Sequence, residues 1–66
     1  MVQKIIDVVG ISKKSFDDAA ANAVAGASKT VYGLKWARVD QMEMRLDEKK
    51  VLEYRVTVHL YFDVER

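Results

Sequence analysis

The 66-residue chain reads as an α+β domain with the element order β-α-β-β. Three patterns carry that reading. The first dozen residues hold a short β-branched run, residues 16–31 place apolar side chains at helical spacing, and residues 51–64 alternate two faces without a break.

The opening stretch "VQKIIDVVGIS" is bounded by Gly10 and Ser12 and predicts a first strand over residues 3–9. Gly10 suits its end, because glycine accepts backbone conformations closed to Val and Ile. Ser15 with Asp18 three residues on resembles a capping box, with Asp in the usual Glu position, and Asp17 and Asp18 suit the positive end of a helix. From there Phe16, Ala19, Ala20, Ala23, Val24, Ala27 and Val31 recur on one side, while Asp17, Asn22, Ser28 and Lys29 fall largely on the other. The spacing predicts one amphipathic helix from Ser15 to about Val31, with Gly33 as the C′ residue that stops it. Its buried stripe is mostly alanine, which permits close approach to a sheet but removes little apolar area from water.

The remainder is a hairpin of strands Leu34 to Leu46 and Val51 to Glu65, joined through the polar "DEKK" of residues 47–50. In the last strand Leu52, Tyr54, Val56, Val58, Leu60, Phe62 and Val64 form the face toward the helix, and Val51, Glu53, Arg55, Thr57, His59, Tyr61 and Asp63 the other. The preceding strand changes phase: Ala37 and Val39 lie on one apolar face, but Met42, Met44 and Leu46 are out of step with them. A one-residue bulge near Asp40 or Gln41 reconciles the two. With Leu46 opposite Val51, Tyr61 falls near Trp36, and Arg55 lies about six residues, or roughly 20 Å, further along.

Composition bounds the rest. Residues 1–66 form a single domain with no proline, linker or internal repeat, and a domain this small buries only about 60% of the surface its unfolded chain exposes. There are no cysteines, so neither disulfides nor thiolate metal sites can compensate, and oligomerisation is the expected remedy. The formal net charge is +1, from 11 basic and 10 acidic residues without a basic block, which argues against nucleic acid as partner. The N-terminal apolar stretch is interrupted by Asp7, unlike a secretory signal, and no stretch approaches membrane-spanning length. A soluble, cytoplasmic protein without a membrane partner is expected.

No enzyme is expected either. The chain offers no Ser/His/Asp or Cys/His set and no glycine-rich phosphate loop, and its one histidine, His59, reads as a surface or interface residue. Asp17/Asp18 read as helix-terminal charge, Asp47/Glu48 as a solvated turn, Met42 and Met44 as interface or core filler, and Tyr54 as structural. The single tryptophan is different. If Ala37 and Val39 face the helix, Trp36 and Arg38 stand on the opposite side of the sheet with Arg55, Thr57, His59 and Tyr61, so Trp36 is not core in its own subunit. Another subunit, or a flat ligand held between subunits, would cover it.

The strand ending in "VGIS", the Ser-capped helix "SFDDAAANAVAGASKTV", then "LKWARV", a hairpin and "EYRVTVHLYF" together resemble the dodecin family over essentially the whole chain. The resemblance implies a three-stranded antiparallel sheet partly wrapped around one helix, assembled as a hollow homododecamer. It also implies a flavin (FMN, riboflavin or FAD) stacked on Trp36 as an antiparallel pair between two symmetry-related indoles, with Arg55, Tyr61 and Arg38 completing the binding site. Stacking on an indole offers an electron-transfer route that quenches the excited flavin, so photoprotection would follow from storage. Coenzyme A or a divalent cation is a further ligand that the resemblance admits.

Some positions depart from flavin-binding members. Those usually carry Gln beside the last-strand Tyr, where this chain has Arg55, which only donates. They often carry Arg-Gly where it has Glu43 and Met44, and a small residue where it has Tyr61. These changes resemble another branch of the family, linked to divalent cations, although that branch tends to lack the Trp. Two functions therefore stay open: a flavin-binding storage shell, and a structural or divalent-cation-binding dodecamer in which Trp36 packs at a subunit contact.

Overall fold

A computed structural model describes residues 1–64. The elements follow the expected order: strand β1 (Gln3–Ser12), helix α1 (Phe16–Ala27), strand β2 (Leu34–Asp47) and strand β3 (Lys50–Asp63). The three strands form one antiparallel sheet in the order β1-β3-β2, with β3 in the centre. The alternation of β3 is what this placement needs, since its two faces meet different surroundings: Val56, Val58 and Leu60 are buried under α1, and Arg55, Thr57, His59 and Tyr61 lie on the outer face. The strand was expected to reach Glu65; it ends at Asp63, and Glu65 lies outside the described residues.

Gly10 does not end β1. It lies inside the strand, paired with Val56, and β1 continues to Ser12. A Cβ at Gly10 would stand 1.8 Å from the Ala19 carbonyl oxygen and 2.8 Å from the Ala23 nitrogen. The glycine is there because the helix backbone lies directly on it, a close approach rather than a turn. The alanine stripe completes the fit: Ala19 and Ala23 are buried against Val56, Val58 and Leu60, flanked by Ile6, Val8, Phe16, Ala20, Ala27, Leu34 and Tyr54. Tyr54 is indeed structural, its ring meeting Phe16 edge-on with centroids 5.0 Å apart.

The helix starts as expected and stops early. Ser15 is the N-cap, its hydroxyl accepting from the Asp18 amide at 3.0 Å. Asp18 does not reach back to close a capping box; its carboxylate accepts the buried Ser12 hydroxyl at 2.6 Å, and Ser12 Oγ in turn accepts from the Lys14 amide at 2.9 Å. Helical pairing ends at Ala27, with Ser28 as C-cap; a turn covers residues 28–30, and Val31 lies just beyond it. Gly33 is not the helix terminator. Its φ of 78° instead redirects the chain into β2, where its carbonyl accepts from the Asp63 amide at 3.4 Å.

The hairpin turn is tighter than the four polar residues suggested: Asp47 pairs with Lys50, leaving Glu48, at a φ of 52°, and Lys49 to close it. Helix α1 covers β1 and β3 and barely meets β2, which is exposed along nearly its whole length. The hairpin therefore projects, and the protomer measures 50 × 19 × 13 Å. Its radius of gyration is 13.5 Å, against about 11 Å for a compact chain of this length. Val39, Met42, Met44, Leu46, Val51 and Leu52 are all exposed. Leu52, expected to face the helix, is 40% exposed because it sits beyond the helix and is skipped in the strand pairing.

Candidate functional site

The outer face of the sheet is built in rows by strand register, since directly paired residues share a face. From β1 across β3 to β2, one row holds Ile5, Tyr61 and Trp36, and the next Asp7, His59 and Arg38. Beyond these come Val9, Thr57 and Gln41, then Ile11, Arg55 and Glu43. Trp36 is thus beside Tyr61, and on the side opposite the helix, as its phase required. It is 69% exposed, a cost of apolar surface that one protomer does nothing to recover.

Trp36 reaches that face through irregularity. Register shifts fall between Leu34 and Trp36 and between Val39 and Gln41. Each inserts one β2 residue, Lys35 and Asp40, without a partner on β3. Leu34, Met42 and Met44 pair with the helix-facing Phe62, Val56 and Tyr54, whereas Trp36 and Arg38 pair with the outer Tyr61 and His59. The segment 36–39 is therefore inverted relative to the strand on either side. The shift near Asp40 was legible in the hydrophobic phase; that at Lys35 was not, because Leu34 alone precedes it and one residue defines no phase.

Of the expected site residues, Trp36, Tyr61 and Arg38 come together in two adjacent rows. Arg55 does not join them: it stands six residues from Tyr61 along β3, roughly 20 Å at about 3.3 Å per residue. Neither Arg38 nor Arg55 has an ion-pair or hydrogen-bond partner among the described residues, whereas Arg45 lies 3.4 Å from Glu53. On the helix side of the same strand, an open groove of 240 Å³ runs beside Trp36, lined by Val24, Leu34, Lys35, Trp36, Ala37 and Leu60.

One arrangement carries no sequence motif. His59 faces Asp7 of β1 through Nδ1, and its Nε2 lies 3.3 Å from Asp40 Oδ1 of β2. Three residues from distant parts of the chain meet only because β3 is central; the register that sets Asp7 opposite His59 was the sole signal. The carboxylates meet opposite ring nitrogens and so do not converge on one ion. Among the described residues no group of three or more His, Cys, Asp or Glu could hold a metal, and no helix is long and apolar enough to cross a membrane.

Comparison with known proteins places this geometry in a family. The dodecin family model matches residues 2–65. The chain is 36% identical over 61 residues to the calcium dodecin of Mycobacterium tuberculosis, covering 92% of this chain and 86% of that protein. It is 33% identical over 64 residues to the dodecin of Thermus thermophilus, covering 97% and 93%. The dodecin structure from Streptomyces coelicolor superimposes with a TM-score of 0.92 at 32% identity, covering 98% of this chain and 93% of that one. The crystal structure of the mycobacterial calcium dodecin, described as having a novel calcium-binding site, does so with a TM-score of 0.84 at 34% identity and the same coverage. A family match over nearly every residue, together with a shared β-α-β-β fold, means that this chain belongs to the dodecin family.

Proposed function

We propose that the protein is a non-enzymatic flavin-binding and storage protein, a cytoplasmic homododecamer that sequesters FMN, riboflavin or FAD at its subunit contacts. The observation that carries the reading is Trp36, 69% exposed beside Tyr61 on the face away from the helix. A flat aromatic ligand stacked on the indole recovers that surface as no polar ligand would. Tyr61 forms a second wall, and Arg38, two residues along the same face, donates to ring carbonyls or to a phosphate. Arg55 serves a Trp36 of another copy, because about 20 Å of strand separates the two within one protomer. Self-association has independent support in the projecting hairpin and its uncovered apolar residues.

A second reading has its own observation: the 36% identity to a relative named calcium dodecin. There the assembly is structural or binds a divalent cation with residues from several copies, and Trp36 packs at a subunit contact. Absorbance of the purified protein in the flavin bands, before and after adding riboflavin or FMN and removing the unbound excess, separates the two. Retained flavin absorbance supports storage. A protein that retains neither flavin but takes up calcium supports the second reading.

A further inference from the structure

The inverted segment 36–39 raises the question of what holds it inverted. Straightening β2 at the Asp40 bulge while the Met42–Val56 and Met44–Tyr54 pairs stay in place would slide residues 36–39 by one position. A one-residue slip exchanges the faces of every side chain in the segment. Trp36 would then turn toward the helix and Ala37 outward, and the aromatic platform would be lost from the outer face.

Asp40 is the extra residue of that bulge, and a bulged residue has no ladder partner of its own. Here its carboxylate meets His59 Nε2 at 3.3 Å, and His59 belongs to the central strand, paired with Arg38 inside the inverted segment. The same ring is steadied from the other side by Asp7 of β1 through Nδ1. The two carboxylates flank opposite ring nitrogens, so the ring sits between β1 and the β2 bulge. The histidine side chain is only 19% exposed, against 38% for Asp40 and 62% for Asp7, so the tie to the bulge lies closer to the sheet than a loose surface pair. Arg38 and Asp40 from β2 and Asp7 from β1 are the charged groups facing the ring, since α1 packs on the other side of the sheet.

We infer that His59 is a positioning residue for the ligand site: by tying Asp40 to the central strand it fixes the β2 bulge and so keeps Trp36 on the outer face. The inference rests on the reading of Trp36 as a flavin platform. It adds a residue two positions from Tyr61 that touches no ligand.

The test measures riboflavin affinity by quenching of riboflavin fluorescence, alongside Trp36 emission without ligand and assembly mass by light scattering. His59→Leu and Asp40→Ala should each weaken riboflavin binding by about 10-fold, which corresponds to about 1.4 kcal/mol of lost preference for the bulged register. Both should shift Trp36 emission while assembly mass is unchanged. His59→Gln, whose amide can donate to Asp40, should recover most of the affinity. Deletion of Asp40 lets the Val39–Val58 and Gln41–Thr57 pairs follow one another without a bulge, so it should leave Trp36 on the outer face, with emission and riboflavin affinity close to the parent's. Unchanged affinity and emission in both single variants overturn the inference, as does loss of the assembly in both, which would make His59 a stability residue. A wild-type protein that binds no riboflavin overturns the flavin reading and the ligand role of His59 with it, a failure distinct from normal wild-type binding that the variants leave untouched.

Discussion

Gly10→Ala tests how helix and sheet meet. The added Cβ would stand 1.8 Å from the Ala19 carbonyl oxygen, 2.8 Å from the Ala23 nitrogen and 2.9 Å from the Ala19 carbonyl carbon, all backbone atoms that no side-chain rotation can move. To restore ordinary contact at 3.4 Å, strand and helix must separate by about 1.6 Å along that line. The separation would open the packing of Ala19 and Ala23 on Val56, Val58 and Leu60, the buried hydrophobic core among the described residues. The cost belongs at the upper end of the overpacking range, about 3 kcal/mol. Thermal unfolding at one fixed protomer concentration, needed because assembly contributes to apparent stability, should show a fall of more than about 10 °C. Gly26→Ala is the matched control. A Cβ there meets nothing within 4 Å, and replacing a helical glycine should raise stability by about 0.5–1 kcal/mol. If Gly10→Ala unfolds within about 1 kcal/mol of the parent, the close approach does not explain the glycine.

Three further substitutions probe cap and site. Ser15→Ala removes the acceptor for the Asp18 amide and should cost about 1 kcal/mol in chemical denaturation. Trp36→Ala should weaken flavin binding at least ~10-fold by fluorescence titration, because stacking on an aromatic ring contributes about 1–3 kcal/mol. Light scattering should show its assembly intact; a broken assembly would mark Trp36 as an interface residue. Arg55→Gln should preserve or improve flavin affinity, since an amide both accepts and donates where the guanidinium only donates. A severe loss would place Arg55 on a phosphate or outside the ring edge.

Where one strong pattern governs, the sequence was a good guide. The alternation of β3 and the phase change at Asp40 were enough to place Trp36 beside Tyr61 and to separate Arg55 from both. Punctuation by glycine misled, because glycine has two uses that look alike in a sequence. Gly10 read as a strand end and is a contact point, while Gly33 read as a helix stop and is a bend five residues past the C-cap Ser28. The bulge at Lys35 was hidden because Leu34 alone precedes it and one residue defines no phase. The link from Asp7 through His59 to Asp40 was hidden because it depends on which strand lies in the middle of the sheet, and local pattern does not specify that order.

Native mass spectrometry of the purified protein with excess FMN weighs the assembly and counts its ligands together, and so bears most directly on the claim of a flavin-storing shell. The account predicts a homododecamer that gains up to one flavin per protomer, with the gain lost in Trp36→Ala. A smaller assembly, or a dodecamer that takes up calcium and no flavin, would contradict it.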